Sequence, residues 1–350
     1  MTSTADHVEL IDSVEDRLRE VGRLVRRSML DAMPDGEPVR WLYGPMREYP
    51  SRPGKALRPA LCISAGRAFG AEAQDLLGVA VAIELLHNAF LVHDDVADGS
   101  EMRRGRPTLA SEYGLAAAIN AGDGLAVVAG QVLRRATRRF DRDLGDVIWA
   151  EFDTMAMRTL EGQATEVGWQ LDNVQRLNPE DYLELIMHKT CWYTTIHPLR
   201  VGAIIGSGGT AELAPLVRFG FHFGAAFQIR DDLLNLVGDE NMYGKEILGD
   251  LYEGKRTLPL VHLVANAEGG DSDLVRDYLG RSREERSADL VATVRGLMDA
   301  YGSIEFTSQY AEGILSVAEG YFEEAFGDAE PGPDLDFLRA LVPYVWARWR

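Results

Sequence analysis

An apolar run from Leu76 to Leu91 ends at three aspartates, and this junction constrains the fold more than any other stretch of the chain. Polar residues interrupt the run, so it predicts a buried core helix rather than a membrane span. Asp94 and Asp98 are four residues apart and share one helical face, with Asp95 beside it. Because carboxylates ~4 Å apart repel by roughly 4 kcal/mol at an effective dielectric of about 20, the cluster predicts a bound cation. Oxygen donors favour Mg²⁺, Mn²⁺ or Ca²⁺ over zinc. The alternative is a solvated acidic helix end.

A second predicted helix, from Ala211 to Asn235, also ends on acidic residues. Asp231 and Asp232 lie in its last turns, and Asn235 follows Asp231 by four residues. Two basic residues follow in a segment rich in glycine: Lys245 and Lys255. Two acidic helix ends, each followed by basic residues, suit a metal-complexed diphosphate. In such a site carboxylates hold the metal, and Lys or Arg neutralises the remaining phosphate charge.

Other basic candidates stand outside the two acidic ends. They are Lys55, Arg58 and Lys189, whereas Arg103 and Arg104 are the basic residues that follow the first acidic end. Lys55 and Arg58 begin a predicted apolar helix, and a helix N-terminus with basic residues favours an anion. His87 lies two turns before Asp94 on the same helical face. Taken singly, each basic residue is more often a surface charge, and a lone histidine is more often a hydrogen-bonded core residue.

Charge and cysteine content exclude some classes of function. The 350 residues carry a formal net charge of −19, so a nucleic-acid backbone would be repelled. Two cysteines, Cys62 and Cys191, give no disulfide framework and favour a reducing cytoplasm. The N-terminal residues lack the basic and apolar leader of a signal peptide, which agrees with a cytoplasmic protein.

Apolar residues recur at helical spacing along most of the chain, and period-two alternation is nearly absent. The pattern therefore predicts an all-α fold, with residues 1–350 forming one domain around a central helix bundle. Predicted helices cover Val8 to Met33, Leu57 to Phe69, Ala71 to Val96, Leu109 to Thr137, Asp143 to Val167, Pro179 to Tyr193, Leu199 to Ser207, Ala211 to Asn235, Thr257 to Ala267, Ser282 to Met298, Ile304 to Ala325 and Asp334 to Trp349.

Five motifs in this order resemble the trans-type isoprenyl (polyprenyl) diphosphate synthases, and the likeness is nearest to geranylgeranyl diphosphate synthases. They are GKALRP at Gly54–Pro59, HDDVADGSEMRRGRPT at His93–Thr108, the pair Lys189-Thr190, FQIRDDLLN at Phe227–Asn235, and GKEILGD with EGKRTLP after it. The resemblance spans roughly Gly54 to Pro259. It implies the isoprenoid-synthase-type helix bundle with a central active-site cavity, and a homodimer.

The resemblance also implies a reaction, in which isopentenyl diphosphate condenses with an allylic diphosphate through ionisation, condensation and elimination. The allylic substrate would be dimethylallyl, geranyl or farnesyl diphosphate. Its diphosphate would be clamped by three Mg²⁺ ions, with Mn²⁺ as the alternative metal. The residues implied as metal ligands are Asp94, Asp95, Asp98 and Asp231, with Asp232 and Asn235 in support.

Roles for the remaining motif residues follow from the same resemblance. Those implied for the allylic diphosphate are Arg103, Lys189 and Lys245. Those implied for isopentenyl diphosphate are Lys55, Arg58, His87 and Arg104. Gln228 and the backbone oxygens near Lys189 and Thr190 would lie beside the allylic cation, and Lys255 would shape the closed site.

Three residues depart from the family pattern: two of them concern a phosphate contact, and the third, with the chain-length positions, bears on the product. Pro53 and Ala56 replace residues that the family often has as glycine and a basic residue, and Asn235 replaces the usual last aspartate of the second motif. Ala89 and Phe90, five and four residues before Asp94, occupy positions that form the floor of the product cavity in this family. A small and a large residue there, together with Asn235, favour a twenty-carbon product, with fifteen or twenty-five carbons open.

Two other classes of protein remain open at this point. A class I terpene cyclase also uses an aspartate-rich helix end, but it normally carries a second motif of the form N/D-x-x-x-S/T-x-x-x-E, which is not found near Asp231. A non-catalytic partner subunit of a synthase usually lacks metal-binding aspartates, whereas both clusters here keep theirs.

Overall fold

The computed structural model describes residues 4–238 and 247–347, and most of these residues are helical. The α-helices are α1 (Thr4–Ala32), α2 (Gly44–Ser51), α3 (Leu57–Ala68), α4 (Ala73–Asp98), α5 (Leu109–Tyr113), α6 (Leu115–Thr137), α7 (Arg142–Leu171), α8 (Pro179–Ile186), α9 (His197–Gly206), α10 (Leu213–Val237), α11 (Gly249–Glu253), α12 (Leu258–Asn266), α13 (Gly269–Leu279), α14 (Ala288–Ala300), α15 (Ser303–Phe326) and α16 (Pro333–Ala347). Two π-helical segments accompany them, Val39–Tyr43 and Met187–Ile196. The predicted all-α class is confirmed.

The described strands form one small hairpin after the first aspartate cluster. Strand β1 (Met102–Arg103) pairs antiparallel with β2 (Arg106–Pro107), and Arg103 lies opposite Arg106. Arg104 takes a left-handed conformation at the turn, with φ of 54°. We call Met102–Pro107 the basic hairpin, because three of its six residues are arginines.

The described residues divide into two compact units. The first lies within Met1–Met155, Tyr193–Gly220 and Gly320–Arg350, and the second within Ala156–Trp192 and Phe221–Glu319. The single domain expected from the sequence stays a prediction.

In the first unit, α4 packs against α6, and α3 packs against both α9 and α4. Leu85 and Leu125 are fully buried in this core. Gly122 lets α6 approach α4 closely, since a Cβ there would lie 2.3 Å from Nε2 of His93. By length and composition α4 and α6 could each cross a bilayer, but 72% of the apolar stretch of α4 is buried within the protein. The burial of α4 fits the core helix that the sequence predicts for this segment.

The second unit has its own apolar core. Its fully or almost fully buried residues come from α10, α11, α12, α13 and α14 and include Leu236, Leu251, Leu260, Tyr278 and Met298. Helix α8 begins as the Asn-Pro-Glu sequence predicts: Asn178 accepts from the backbone N–H of Asp181, and Asp181 accepts from that of Asn178. This capping box fixes the start of the helix that leads to Lys189.

Five parts of the chain differ from the sequence prediction. Val39–Ser51 is helical although it contains Gly44, Pro45 and Pro50, because Pro45 lies in the first turn, where no backbone N–H is needed. The predicted helix Leu109 to Thr137 is divided at Gly114, whose φ is +84°. Helices α11 and α13 lie where no helix was predicted, and α14 begins six residues later than expected.

Candidate active site

Helix α4 presents two of the three aspartates at its C-terminal end in half-buried positions. Asp94 and Asp98 are partly exposed, and one carboxylate oxygen of each lies within 4.8 Å of the other. Gly99 ends the helix directly after Asp98 in the left-handed conformation, with φ of 63°. Two carboxylates at this separation on one helical face fit a divalent cation with oxygen ligands. The first unit therefore contains an aspartate-rich potential metal site.

The third aspartate, Asp95, is turned into the protein and is only 1% exposed. Its Oδ2 accepts a hydrogen bond from the hydroxyl of Tyr49, and its Oδ1 accepts from Nε of Arg103 at 2.8 Å and also from Nη2. Burial raises the pKa of Asp95, whereas the Arg103 charge and the hydrogen bonds oppose that rise. Arg103 Nη2 also lies 3.9 Å from Oδ2 of Asp94. Asp95 thus holds Arg103 beside the potential metal site.

The basic hairpin is fixed by a second arginine from the segment after α2. Arg52 is buried, donates to the backbone carbonyls of Arg103 and Pro107 at 2.9 Å each, and lies over the ring of Tyr49 with 4.7 Å from Cζ to the centroid. The backbone N–H of Leu109 donates to the Tyr49 hydroxyl at 3.4 Å. Tyr49 and Arg52 therefore connect α2 to both sides of the basic hairpin.

A second basic group lies in the same unit. The guanidinium of Arg104 lies against Gly54, since a Cβ there would be 3.1 Å from Nη2. Arg58 donates to Oγ1 of Thr194 at 2.8 Å and covers the ring of Tyr193 at 4.2 Å. Lys55, beside Gly54, is exposed. The unit thus brings together Arg104, Gly54 and Lys55, while Arg58 contacts Tyr193.

A buried carboxyl group accompanies these arginines. Burial raises the pKa of Glu84, and the charges of Arg58 and Arg104 counteract that rise. Burial also lowers the pKa of Arg104, and Glu84 opposes this effect. Glu84, Arg104 and Gly54 line a cavity of about 20 Å³, which is large enough for a water molecule. The negative charge of Glu84 therefore offsets the repulsion between Arg58 and Arg104 when no anionic ligand is bound.

The two chain-length positions lie next to an aromatic pair. Ala89 is buried in α4, and Phe90 is half-buried with its ring edge-on to Tyr193 at 5.8 Å between centroids. The ring of His87, one turn earlier, lies 5.7 Å from the same tyrosine. Tyr193 therefore contacts both the predicted floor and the basic group.

In the second unit, the two aspartates of α10 differ in burial in the same way as Asp94 and Asp95 of α4. Asp231 is half-buried, whereas Asp232 is 5% exposed. Oδ2 of Asp232 accepts from the hydroxyl of Tyr182 and Oδ1 accepts from Nε2 of Gln228, both at 2.7 Å. Burial raises the pKa of Asp232, and the nearby charge of Asp250 adds to the rise. Gln228, which was expected beside the cation, here holds Asp232.

Asn235 is buried and connects α10 to the segment that follows. Its Oδ1 accepts from the backbone N–H of Asp250 at 3.1 Å, and its carbonyl accepts from that of Leu248 at 2.8 Å. Lys255 forms an ion pair with Glu253 at 2.8 Å, and its N–H donates to the Asp250 carbonyl at 2.9 Å. Lys245 lies outside the described residues.

Lys189 and Thr190 lie in the π-helical segment Met187–Ile196. The ammonium of Lys189 donates to Oε2 of Glu166, which is in α7. Gly162 allows this ion pair to form, because a Cβ at that position would lie only 2.2 Å from the backbone nitrogen of Lys189 and would keep the two segments apart. Thr190 is buried. The close backbone approach places Lys189 within reach of the carboxylate one turn farther along α7.

Comparison with known proteins decides the family. The sequence model for polyprenyl synthetases matches residues 39–297. A short chain isoprenyl diphosphate synthase of Methanothermobacter thermautotrophicus is 34% identical over 77% of this chain and 80% of its own length. The chain belongs to the polyprenyl synthetase family.

Other members of the family extend the comparison. A geranylgeranyl diphosphate synthase of Mycobacterium tuberculosis is 32% identical, with 83% of this chain and 79% of the relative covered. The crystal structure of a geranylgeranyl pyrophosphate synthetase from Pyrococcus horikoshii superposes with a TM-score of 0.82 at 29% identity, covering 97% of this chain and 98% of that one. The predicted family, fold and prenyltransferase class are confirmed.

Several residues that contact the motif residues or balance their charge were not predicted. They are Tyr49, Arg52 and Glu84 in the first unit, and Glu166 and Tyr182 in the second. For Glu84 the sequence did carry a signal, because it shares the helical face of His87 and Asp94. The role of each predicted site residue, and a site shared by the two aspartate clusters, stay predictions.

Proposed function

We propose that this prenyltransferase condenses isopentenyl diphosphate with an allylic diphosphate and releases geranylgeranyl diphosphate as its main product. The observation that carries the proposal is the half-buried pair Asp94 and Asp98 with Arg103 anchored beside it. This arrangement supplies metal ligands and a fixed guanidinium, which together suit a diphosphate leaving group. The names of the relatives, a short chain isoprenyl and a geranylgeranyl diphosphate synthase, support this substrate class.

The carboxylates at the two helix ends would hold Mg²⁺, three ions per site, with Mn²⁺ as a substitute. Asp94, Asp98 and Asp231 are the half-buried members and are proposed as direct ligands, with Asp95, Asp232 and Asn235 in support. When bound, the metal neutralises charge on the departing diphosphate and so eases ionisation. The oxygen-only donor set fits Mg²⁺ or Mn²⁺.

The basic residues are proposed to bind two different substrates. Arg103, Lys189 and Lys245 would bind the allylic diphosphate, and Arg103 is already oriented by Asp95. Lys189 is held by Glu166, whose carboxylate would keep the ammonium in place until the substrate arrives. Because Asp95 and Glu166 hold Arg103 and Lys189 in place, these two cations would orient the diphosphate leaving group.

Isopentenyl diphosphate would be bound by Lys55, Arg58, His87 and Arg104. The position of Arg104 against Gly54 and the buried Glu84 support this grouping. The double bond of this substrate attacks the allylic cation, and a proton is then lost to the released pyrophosphate. Gln228 and the backbone oxygens near Lys189 and Thr190 would lie beside the cation, and Lys255 would shape the closed site around it. Exclusion of water would protect the cation from being quenched.

The product length follows from Ala89 and Phe90. The half-buried Phe90 ring, edge-on to Tyr193, would stop a chain that the small Ala89 lets pass, which supports twenty carbons. Shorter or longer products, of fifteen or twenty-five carbons, would require a floor nearer to or farther from the aspartates.

A cytoplasmic homodimer that folds as one domain completes the proposal. Exposed apolar residues on α6 support a self-association surface: Leu115, Ile119 and Val127. Cys62 and Cys191 are buried and are not disulfide-bonded, which suits a reducing compartment. Sedimentation of the purified protein would test the dimer.

The decisive experiment incubates the purified chain with labelled isopentenyl diphosphate, Mg²⁺ and each short allylic starter in turn, and measures the length of the product. A labelled twenty-carbon diphosphate supports the proposal. A hydrocarbon formed from geranylgeranyl diphosphate alone would indicate a terpene cyclase, and absence of turnover by the chain alone would indicate a partner subunit.

A further inference from the structure

The second aspartate of each motif is buried and hydrogen-bonded to a tyrosine. Asp95 accepts from Tyr49, and Asp232 accepts from Tyr182. In each case the other carboxylate oxygen accepts from a nitrogen donor, Arg103 Nε in the first motif and Gln228 Nε2 in the second. Both oxygens of each second aspartate are therefore engaged within its own unit.

The first aspartate of each motif differs from the second in exposure. Asp94 and Asp231 are half-buried, whereas Asp95 and Asp232 are 1% and 5% exposed. A fully buried carboxylate that already accepts from two donors gains less from a metal ion than a more exposed carboxylate beside it. The second aspartates are thus suited to fix the helix end, and the first to contact a ligand.

Both tyrosines act as hydrogen-bond donors to their aspartates. An ordinary tyrosine already keeps its proton at neutral pH, and burial and the adjacent carboxylate raise the pKa of both hydroxyls further. Tyr49 in addition accepts from the N–H of Leu109 and supports the guanidinium of Arg52. Tyr182 lies in α8, which continues into the segment that carries Lys189.

We propose that Tyr49 and Tyr182 are positioning residues, each of which fixes the second aspartate of its motif and so sets the geometry of the metal-binding end. The inference rests on the proposed function, since it assumes that these ends bind a metal–diphosphate complex. The two tyrosines come from different helices and different units, and each donates to the second aspartate of its motif.

The test uses Tyr49→Phe and Tyr182→Phe, which keep the ring and remove only the hydroxyl. Tyr344→Phe is the matched control, because Tyr344 is also buried and its hydroxyl contacts a carboxylate oxygen of Glu15 at 3.5 Å. Two quantities are measured: the Mg²⁺ concentration at half-maximal turnover, and the rise in Tm when Mg²⁺ is added with inorganic pyrophosphate.

Both positioning variants should need about 10-fold more Mg²⁺, the low end of the range for removing a group bonded to a metal ligand, because each tyrosine acts through the aspartate next to the proposed ligand. Their rise in Tm with Mg²⁺ and pyrophosphate should shrink, while the control keeps both wild-type values. Variants with lower Tm but wild-type Mg²⁺ dependence and wild-type Tm rise would overturn the inference, as would failure of both to fold. Since the tyrosines lie in separate units, one folded variant suffices for the test.

Failure of the proposed function gives a different result. If the wild-type chain shows neither prenyl transfer nor a Tm rise with Mg²⁺ and pyrophosphate, the function itself is wrong. If the wild type shows both and the variants match it, only the positioning role is wrong.

Discussion

Arg52 donates to the backbone carbonyl of Arg103 at 2.9 Å, although 51 positions separate the two arginines in the chain. Arg52 also donates to the Pro107 carbonyl, so it holds both strands of the basic hairpin. The hairpin carries a residue assigned to each substrate, Arg103 and Arg104. A single buried guanidinium thus sets the position of both.

The Arg52→Lys substitution is expected to weaken the binding of both substrates. Lysine keeps the charge but cannot make two hydrogen bonds in fixed directions, so the hairpin should lose its orientation. We expect KM for isopentenyl and allylic diphosphates to rise about tenfold, which corresponds to about 1.4 kcal/mol. Steady-state kinetics with each substrate varied would measure this. Arg19→Lys, in an exposed ion pair of α1, is the control and should change neither KM. A rise in only one KM would contradict the shared support.

Asp98→Asn should separate stability from activity. Asp94 and Asp98 hold like charges in close proximity, and removing one charge relieves their repulsion. We therefore expect a higher Tm without metal, together with at least about a 100-fold loss of kcat/KM, because a proposed ligand is lost. Thermal unfolding in EDTA and turnover in Mg²⁺ would be compared. A lower Tm or unchanged turnover would argue against a metal site at this helix end.

Phe90→Ala should lengthen the product. Removing the ring would open space beside Tyr193 and let the growing chain pass. Product analysis by reversed-phase chromatography should show a shift from twenty carbons to longer chains. Phe140→Ala, at another half-buried phenylalanine of the first unit, should leave the product length unchanged. Equal product lengths for wild type and Phe90→Ala would remove the proposed floor.

His197 predicts an acid-sensitive step in stability. The side chain is fully buried, its ring nitrogens have no hydrogen-bond partner within residues 4–238 and 247–347, and burial lowers its pKa to about 3. The folded protein keeps His197 neutral, whereas the unfolded chain binds a proton below a pKa of about 6.5. The stabilisation is therefore complete above pH 6.5 and is lost as pH falls towards 3.

At pH 4.5 this linkage corresponds to about 3 kcal/mol of lost unfolding free energy. His197→Leu should remove that part of the pH dependence, which urea unfolding at pH 7.5 and 4.5 would measure for both proteins. Equal losses for wild type and variant would show that His197 does not cause the acid sensitivity.

Sequence periodicity predicted the half of the first site that lies on one helix. Asp94 and Asp98 share a face because they are four residues apart, and the structure keeps both half-buried there. The same spacing did not distinguish Asp95, whose burial depends on Tyr49. That tyrosine lies 46 positions away, in a segment for which no helix was predicted.

The sequence did not predict which distant residues contact the motif side chains. Glu166 holds Lys189 only because Gly162 lets the two backbones meet, and no periodicity marks that approach. Asn235 stays a predicted supporting ligand, and the hydrogen bond that its amide oxygen accepts from the backbone of Asp250 has no signal in the sequence. Such bonds depend on chain turns that local propensity does not determine.

Gly162 sets a limit for anyone who randomises this chain to change its product. Even one methyl group at codon 162 would meet the main chain at Lys189 rather than a side chain that can rotate away. Libraries that leave this codon fixed and vary the residues around Phe90 should retain far more active clones than libraries that vary both.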